Sequence, residues 1–290
     1  MQNVKFDNCY RGLSFITNSD AALSILTVQN VDFTNCVFGV YNSGSAYSPN
    51  VYTFSQVTFS SITGAGFYHA TTVRRASATF DNCTFTKGGR LYAYYLDTLV
   101  VKDTIFSNGS VSDGAISFSF GSTITVTNST FNDISVTSVV GAPINIASTG
   151  ILATISDNIF TNNGQAGGNV YGGAIFSSGD TLRVNNCLFS NNTANGTSTT
   201  VTHAGGAIYV NSGQGIILNS AFIENAVGTK SSGMTPYGGA IYAVAATHVS
   251  NCLFKGNSVV GDGGCGGALA VSLTNIDLQN STLVSNVADS

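Results

Sequence analysis

Apolar and polar residues alternate with period two in short bursts along the whole chain, and the bursts recur roughly every 25 residues. The unit is clearest from Gly205 to Asn225, GGAIYVNSGQGIILNSAFIEN. It runs from two glycines through Ala207-Ile208-Tyr209-Val210, a polar turn at Gly213 and Gly215, Ile216-Ile217-Leu218, Asn219, and Ser220-Ala221-Phe222 to Asn225. Alternation of this kind belongs to half-buried strands, so the unit predicts three short strands separated by turns. With Asn219 as marker, the same slot is filled by Asn8, Asn35, Gln56, Asn82, Asp103, Asn128, Asp157, Asn186, Asn251 and Asn280, which makes eleven turns. Two residues before the markers stand Phe6, Phe33, Phe54, Phe80, Val101, Val126, Ile155, Val184, Ile217, Val249 and Leu278, all apolar. Three residues after them comes a phenylalanine column, Phe38, Phe59, Phe85, Phe106, Phe131, Phe160, Phe189, Phe222 and Phe254, closed by Leu283 and broken only by Arg11.

Between marker and phenylalanine lies a column of mostly small residues, Cys9, Cys36, Val57, Cys83, Thr104, Ser129, Asn158, Cys187, Ser220, Cys252 and Ser281. Small beside large, turn after turn, fills a narrow interior. The pattern predicts an all-β fold, a right-handed single-stranded parallel β-helix of about eleven turns with three short strands each. With stacked strands about 4.8 Å apart, the rod is on the order of 50 Å long. The marker slot suits a left-handed corner, and its stacked amides are expected to bond to one another. Residues 1–290 read as one continuous domain, with degenerate repeats over 1–140 and regular ones over 141–290. Because the pattern is already running at Val4-Lys5-Phe6 and still running at Ser285-Asn286, the chain is expected to be a piece of a longer array, with uncapped ends open to self-association.

Charged residues make up 8% of the chain and the formal net charge is −4; Arg74-Arg75 is the only adjacent basic pair. No basic stripe is present to neutralise phosphates, which argues against nucleic acid as a partner. No run of apolar residues is long enough for a membrane-spanning helix. The six cysteines lack the close spacing of a zinc site, and no metal or cofactor is expected. Five of them occupy the small interior column, where only Cys9 and Cys36 fall on adjacent turns, and Cys265 lies in a loop.

In the regular half, Gly172 to Ile175, Gly205 to Ile208 and Gly238 to Ile241 each spell GGAI, followed by FxxN at Phe189 to Asn192, Phe222 to Asn225 and Phe254 to Asn257. The paired motif resembles the repeat of chlamydial-type polymorphic outer membrane proteins, and the whole chain resembles the pectin-lyase-like right-handed β-helix superfamily. The resemblance implies a surface-exposed or secreted passenger with an adhesive role, in a family whose motifs name no catalytic residues.

Two functions compete. Many enzymes of that superfamily cleave polysaccharides, and such chemistry needs converging carboxylates with a base or cation. The best group available is Asp81 and Asp103 with Lys102, which an ion pair between stacked turns also explains. The other reading is a structural or adhesive module, without catalysis, that binds glycan or protein at a cell surface. Its feature is the column following the GGAI isoleucine, Phe176, Tyr209 and Tyr242, with Tyr92 further down. If Ile208 points inward, these rings point outward as a flat strip fit to stack on sugar rings, unless a loop packs over them. The long loops Thr193 to Ala204 and Ala226 to Tyr237 are expected to complete the binding edge.

Overall fold

The computed structural model describes residues 1–289 except 18–22, 45–48, 73–75, 138–141, 166–169, 197–202 and 230–234. Every regular element among the described residues is a strand. The strands stack into three parallel sheets of 19, 10 and 7 members, each strand pairing with its equivalents one turn away. The first sheet is double because each turn enters it twice, as in Thr181–Asn185 and Leu188–Ser190. It has eleven levels, from Gln2–Asp7 to Ile276–Gln279, so the three sheets together average about nine turns, slightly fewer than the eleven expected.

Two left-handed corners per turn explain the doubling. One column of positive φ runs Asn3, Asn30, Gln56, Asn82, Asp103, Asn128, Asp157, Asn186, Asn219, Asn251 and Asn280. The second runs Asn8, Asn35, Ser61, Lys87, Asn108, Asp133, Asn162, Asn191, Glu224, Gly256 and Ser285. Asparagine and aspartate dominate the first because they tolerate this conformation best after glycine. The expected marker column therefore mixed two corners: Asn8 and Asn35 belong to the second, and the first two turns slip by five residues. Phe6 pairs with Phe33, and Phe33 with Phe59 rather than with Phe54. The slip also removes the one exception, since Arg11 pairs with Phe38 in the second sheet and was never part of the phenylalanine column.

Correctly registered, that column is an unbroken stack from Phe6 through Phe33, Phe59, Phe85, Phe106, Phe131, Phe160, Phe189 and Phe222 to Phe254. Its centroids are 4.6–5.1 Å apart and its planes within 15° of parallel. Most of these rings are fully buried, and burying each contributes about 2–3 kcal/mol. Facing them across the interior, the second sheet contributes Val40, Phe67, Leu91, Ile116, Ile144, Ile175, Ile208 and Ile241, stacked in register. The double glycine enters this sheet for two different reasons. Gly205 sits at φ 69°, and a Cβ on Gly206 would lie 2.1 Å from the carbonyl oxygen of Gly239 one turn on.

The amide ladder lies elsewhere than expected. In the exposed first corner bonding is intermittent, with Asn186 donating to Asp157 and Asn251 to Asn219. The continuous ladder is one residue beyond the second corner, at the asparagine of FxxN in Asn163, Asn192, Asn225 and Asn257, and at Asn286 after Leu283. Each of the first four donates from Nδ2 to the next Oδ1 at 2.9–3.0 Å. The same Nδ2 also donates to a phenylalanine carbonyl one turn back, as Asn192 does to Phe160 at 2.9 Å, while its Oδ1 accepts the backbone N–H of Asn163. The motif is thus a buried, fully engaged scaffold element.

The cysteines divide in the same way as the corners. Cys83, Cys187 and Cys252 share the small column with Thr104, Ser129, Asn158 and Ser220, whereas Cys9 and Cys36 stack at the second corner. All six are free thiols; Cys36, Cys83, Cys187 and Cys252 are buried and Cys265 is exposed. Burial pushes the thiols of Cys83 and Cys187 up to about 11.

Candidate binding surface

The outer column of the second sheet is continuous over nine turns: Tyr41, Tyr68, Tyr92, Ser117, Asn145, Phe176, Tyr209, Tyr242 and Ala270. Phe176, Tyr209 and Tyr242 do turn away from the main core, since Ile208 and Val210 beside Tyr209 take the inward positions. They are nonetheless covered, at 7%, 8% and 8% exposure. The cover is a fourth ladder that the repeat pattern did not reveal. The residues just before each double glycine, Tyr171, Ala204, Tyr237 and Cys265, bridge in parallel from turn to turn. They lay Tyr171 against Tyr209 at 4.9 Å and Tyr237 against Tyr242 at 5.5 Å. Desolvation raises the phenol pKa of Tyr209 and of Tyr171, as a small core of their own requires. The expected strip is therefore a packed cluster, and the signal for it was a tyrosine directly preceding GG at positions 171 and 237. Of the loops expected to flank it, Thr193–Gly196 and Ala226–Thr229 are instead paired strands of the third sheet, and 197–202 and 230–234 lie outside the described residues.

In the other half of the same column the rings remain partly exposed. Tyr41, Tyr68 and Tyr92 are half-buried and stack with centroids 4.9 and 5.0 Å apart and planes within 5°. The guanidinium of Arg11 lies 3.7 Å from the Tyr41 centroid, closing one end. Phe38 meets Tyr41 and Tyr68 edge-on at 5.0 and 5.5 Å. At the other end Arg90 sits 5.5 Å from the Tyr92 centroid. Its Nε donates to the Gly64 carbonyl at 3.0 Å, and its Nη1 to Ser112 Oγ and Asp113 Oδ2, each at 2.7 Å. Only 16% of the Arg90 side chain is exposed, so the guanidinium is fixed rather than waving in solvent. Partial burial raises the phenol pKa of Tyr68 and Tyr92, which keeps both neutral. Beyond them Tyr94, Tyr95 and Phe120 form a second ring cluster with centroids 4.8–5.1 Å apart. Of the three stacked tyrosines the sequence pattern singled out only Tyr92. Tyr41 escaped it because its turn belongs to the slipped register, and Tyr68 because it follows Gly64-Ala65-Gly66-Phe67, a degenerate form of the double-glycine entry.

The catalytic alternative is differently placed. Lys102 and Asp81 stand opposite each other on stacked turns and form an ion pair of 2.9 Å, which raises the lysine pKa. Asp103 occupies the neighbouring corner and accepts from Asn128 Nδ2. Each group is thus engaged with a stacked neighbour. His248 and Asp277, which share an outward column, pair at 2.8 Å and lower the aspartate pKa. Among the described residues no group of three or more His, Cys, Asp or Glu could hold a metal ion, and no helix is long and apolar enough to cross a membrane. An open groove of about 720 Å³ follows the first corner past Asp157, Asn186, Asn219 and Asn251, with Ile159 and Leu188 on its wall.

Comparison with known proteins gives one positive finding: residues 1–202 match the family model described as a right handed beta helix region. No curated protein and no solved structure matches. The match covers more than half of the sequence and agrees with the parallel stacking of all three sheets, and the chain belongs to the right-handed β-helix family.

Proposed function

We propose that this chain is a non-catalytic binding module of an extracellular or cell-surface protein, and that its contact surface is the ring ladder Tyr41, Tyr68 and Tyr92 with Arg11 and Arg90 at its ends. The observation that carries the reading is the half-open stack of three coplanar phenols on a rigid sheet. Such a face offers apolar area for the C–H face of sugar rings, while phenol oxygens and a fixed guanidinium at the rim suit hydroxyl groups. Because the rings are already aligned by strand pairing, little side-chain entropy is lost on contact. The likeness of GGAI and FxxN to polymorphic outer membrane protein repeats supports an adhesive passenger. Glycan is the favoured ligand, with a protein partner as the other outcome of the test.

Replacing Tyr68 and Tyr92 together by Ser should reduce binding on a glycan array or to intact cells by at least tenfold, with the circular dichroism spectrum unchanged. Tyr209→Ser should instead lower the melting temperature, because that ring is buried. Undiminished binding by the Tyr68→Ser, Tyr92→Ser double variant would overturn the assignment. Cleavage products from a polysaccharide screen that vanish on Asp81→Ala would overturn the non-catalytic reading.

A further inference from the structure

Among the six described cysteines, only Cys9 and Cys36 stand on neighbouring turns in one column. The N–H of Val37 donates to the carbonyl of Cys9 and that of Phe38 to the carbonyl of Tyr10, both at 3.0 Å, while Asp7 pairs with Thr34 just before the corner. Residue 36 is therefore stacked directly on residue 9. Both follow a left-handed asparagine, Asn8 at φ 54° and Asn35 at φ 52°, so both leave the same corner in the same direction. Strands stacked about 4.8 Å apart fall within the Cα separation of about 4.4–6.8 Å that a disulfide spans. The sulfurs already share one arrangement, Cys9 Sγ donating to the Asp7 carbonyl at 3.4 Å and Cys36 Sγ to that of Thr34 at 3.2 Å. Cys36 Sγ also reaches down to the Phe6 carbonyl at 3.8 Å, an atom on the turn of Cys9.

The other four have no such neighbour. Cys83 is stacked between Val57 and Thr104, Cys187 between Asn158 and Ser220, and Cys252 between Ser220 and Ser281. Cys265 bridges to Tyr237.

We infer that Cys9 and Cys36 are an oxidisable pair that forms a disulfide between the first two turns of the coil. Cys9 is half-exposed and Cys36 buried, which sets the order of events with a low-molecular-weight disulfide such as glutathione disulfide as oxidant. The Cys9 thiolate attacks one sulfur of glutathione disulfide, breaking its S–S bond, forming a mixed disulfide and releasing one glutathione thiolate. The Cys36 thiolate then attacks the Cys9 sulfur and displaces the second glutathione. The two cysteines lose two electrons and two protons, and both reappear on the two glutathione thiols. Burial raises the Cys36 thiol, so ring closure is the slower step and accelerates with pH. The bond would sit immediately before Tyr10 and Arg11 on one turn and Phe38 and Tyr41 on the next, where Arg11 caps the ring ladder. The inference does not depend on what that ladder binds.

The test uses the full chain, reduced and then held natively in glutathione disulfide, quenched in acid, alkylated in denaturant and digested. The expected result is a linked peptide pair carrying Cys9 and Cys36, two hydrogens lighter than the two reduced peptides together, and Cys83, Cys187 and Cys252 alkylated as free thiols. The melting temperature should rise and return to its starting value with dithiothreitol. In Cys36→Ser the linked pair should vanish and Cys9 should stop at the glutathione adduct. Recovery of Cys9 and Cys36 as free thiols in the wild type, or a link joining either to another cysteine, would overturn the inference. The wild-type measurement decides even if the variant fails to fold.

Discussion

His69 shows how much a single inward position costs. Alternation along Phe67, Tyr68 and His69 sends the first and third inward and the tyrosine out, so a titratable ring is fully buried between two sheets. Its Nδ1 lies 3.0 Å from Asn42 Nδ2, which can only donate, so this nitrogen accepts and the ring is neutral. Thr71 Oγ1 lies 3.4 Å from Nε2, and Asn42 also donates to the Tyr52 hydroxyl at 2.6 Å. Desolvation holds the His69 pKa down to about 4. A base whose pKa is lower folded than unfolded takes its proton first in the unfolded chain. Its contribution is therefore intact above the unfolded value and is lost as pH falls towards the folded one. Between pH 6.5 and 4 the loss from this residue should be about 3 kcal/mol. Carboxylates titrate in the same window, so the measure is the difference between wild type and His69→Gln in urea unfolding at pH 7 and pH 4.5. Equal pH dependence in the two proteins would contradict the assignment. The inward direction of His69 follows from the period-two alternation of its strand, and burial alone acts on its pKa.

At the scale of elements, the buried asparagine ladder makes the sharpest claim. Asn192→Ala would strip the acceptor from the N–H and Nδ2 of Asn163 and the donor from the Phe160 carbonyl. With each orphaned buried group costing about 1–3 kcal/mol, the loss should exceed about 3 kcal/mol. Asn186→Ala at the exposed corner should cost only about 1 kcal/mol, for its left-handed backbone. Chemical denaturation of the two variants compares them directly, and equal losses would refute the division into working and intermittent ladders. Strand positions, the phenylalanine column and the double-glycine entry were all legible in the sequence, because period two and steric demand leave few alternatives. The register of the first two turns was not: each turn has two asparagine-tolerant corners, and Phe6-Asp7-Asn8 fits either one. The covering of Tyr209 and Tyr242 was missed for another reason. Tyr171 and Tyr237 act through isolated bridges rather than strands, and so leave no alternation to read.

Across the whole molecule, nearly every inter-turn bond described above points along one axis. Backbone pairing is parallel from Gln2 to Gln279, with a register shift between Leu96 and Thr98, and the asparagine bonds add to it in the same direction. Thermodynamically this makes stability a sum over neighbouring turns. It has a mechanical meaning as well. A tether pulling the two ends apart along the axis loads the bonds of the terminal turn first, and the turns beneath are shielded until it has peeled away. One turn of 33 residues, the separation of Asn192 and Asn225, would then pay out about 110 Å of extended chain. Single-molecule stretching of the full chain should show a staircase of steps of one or a few such lengths, rather than one rupture releasing the entire contour. A rod of this construction yields by lengthening in instalments as the load is absorbed.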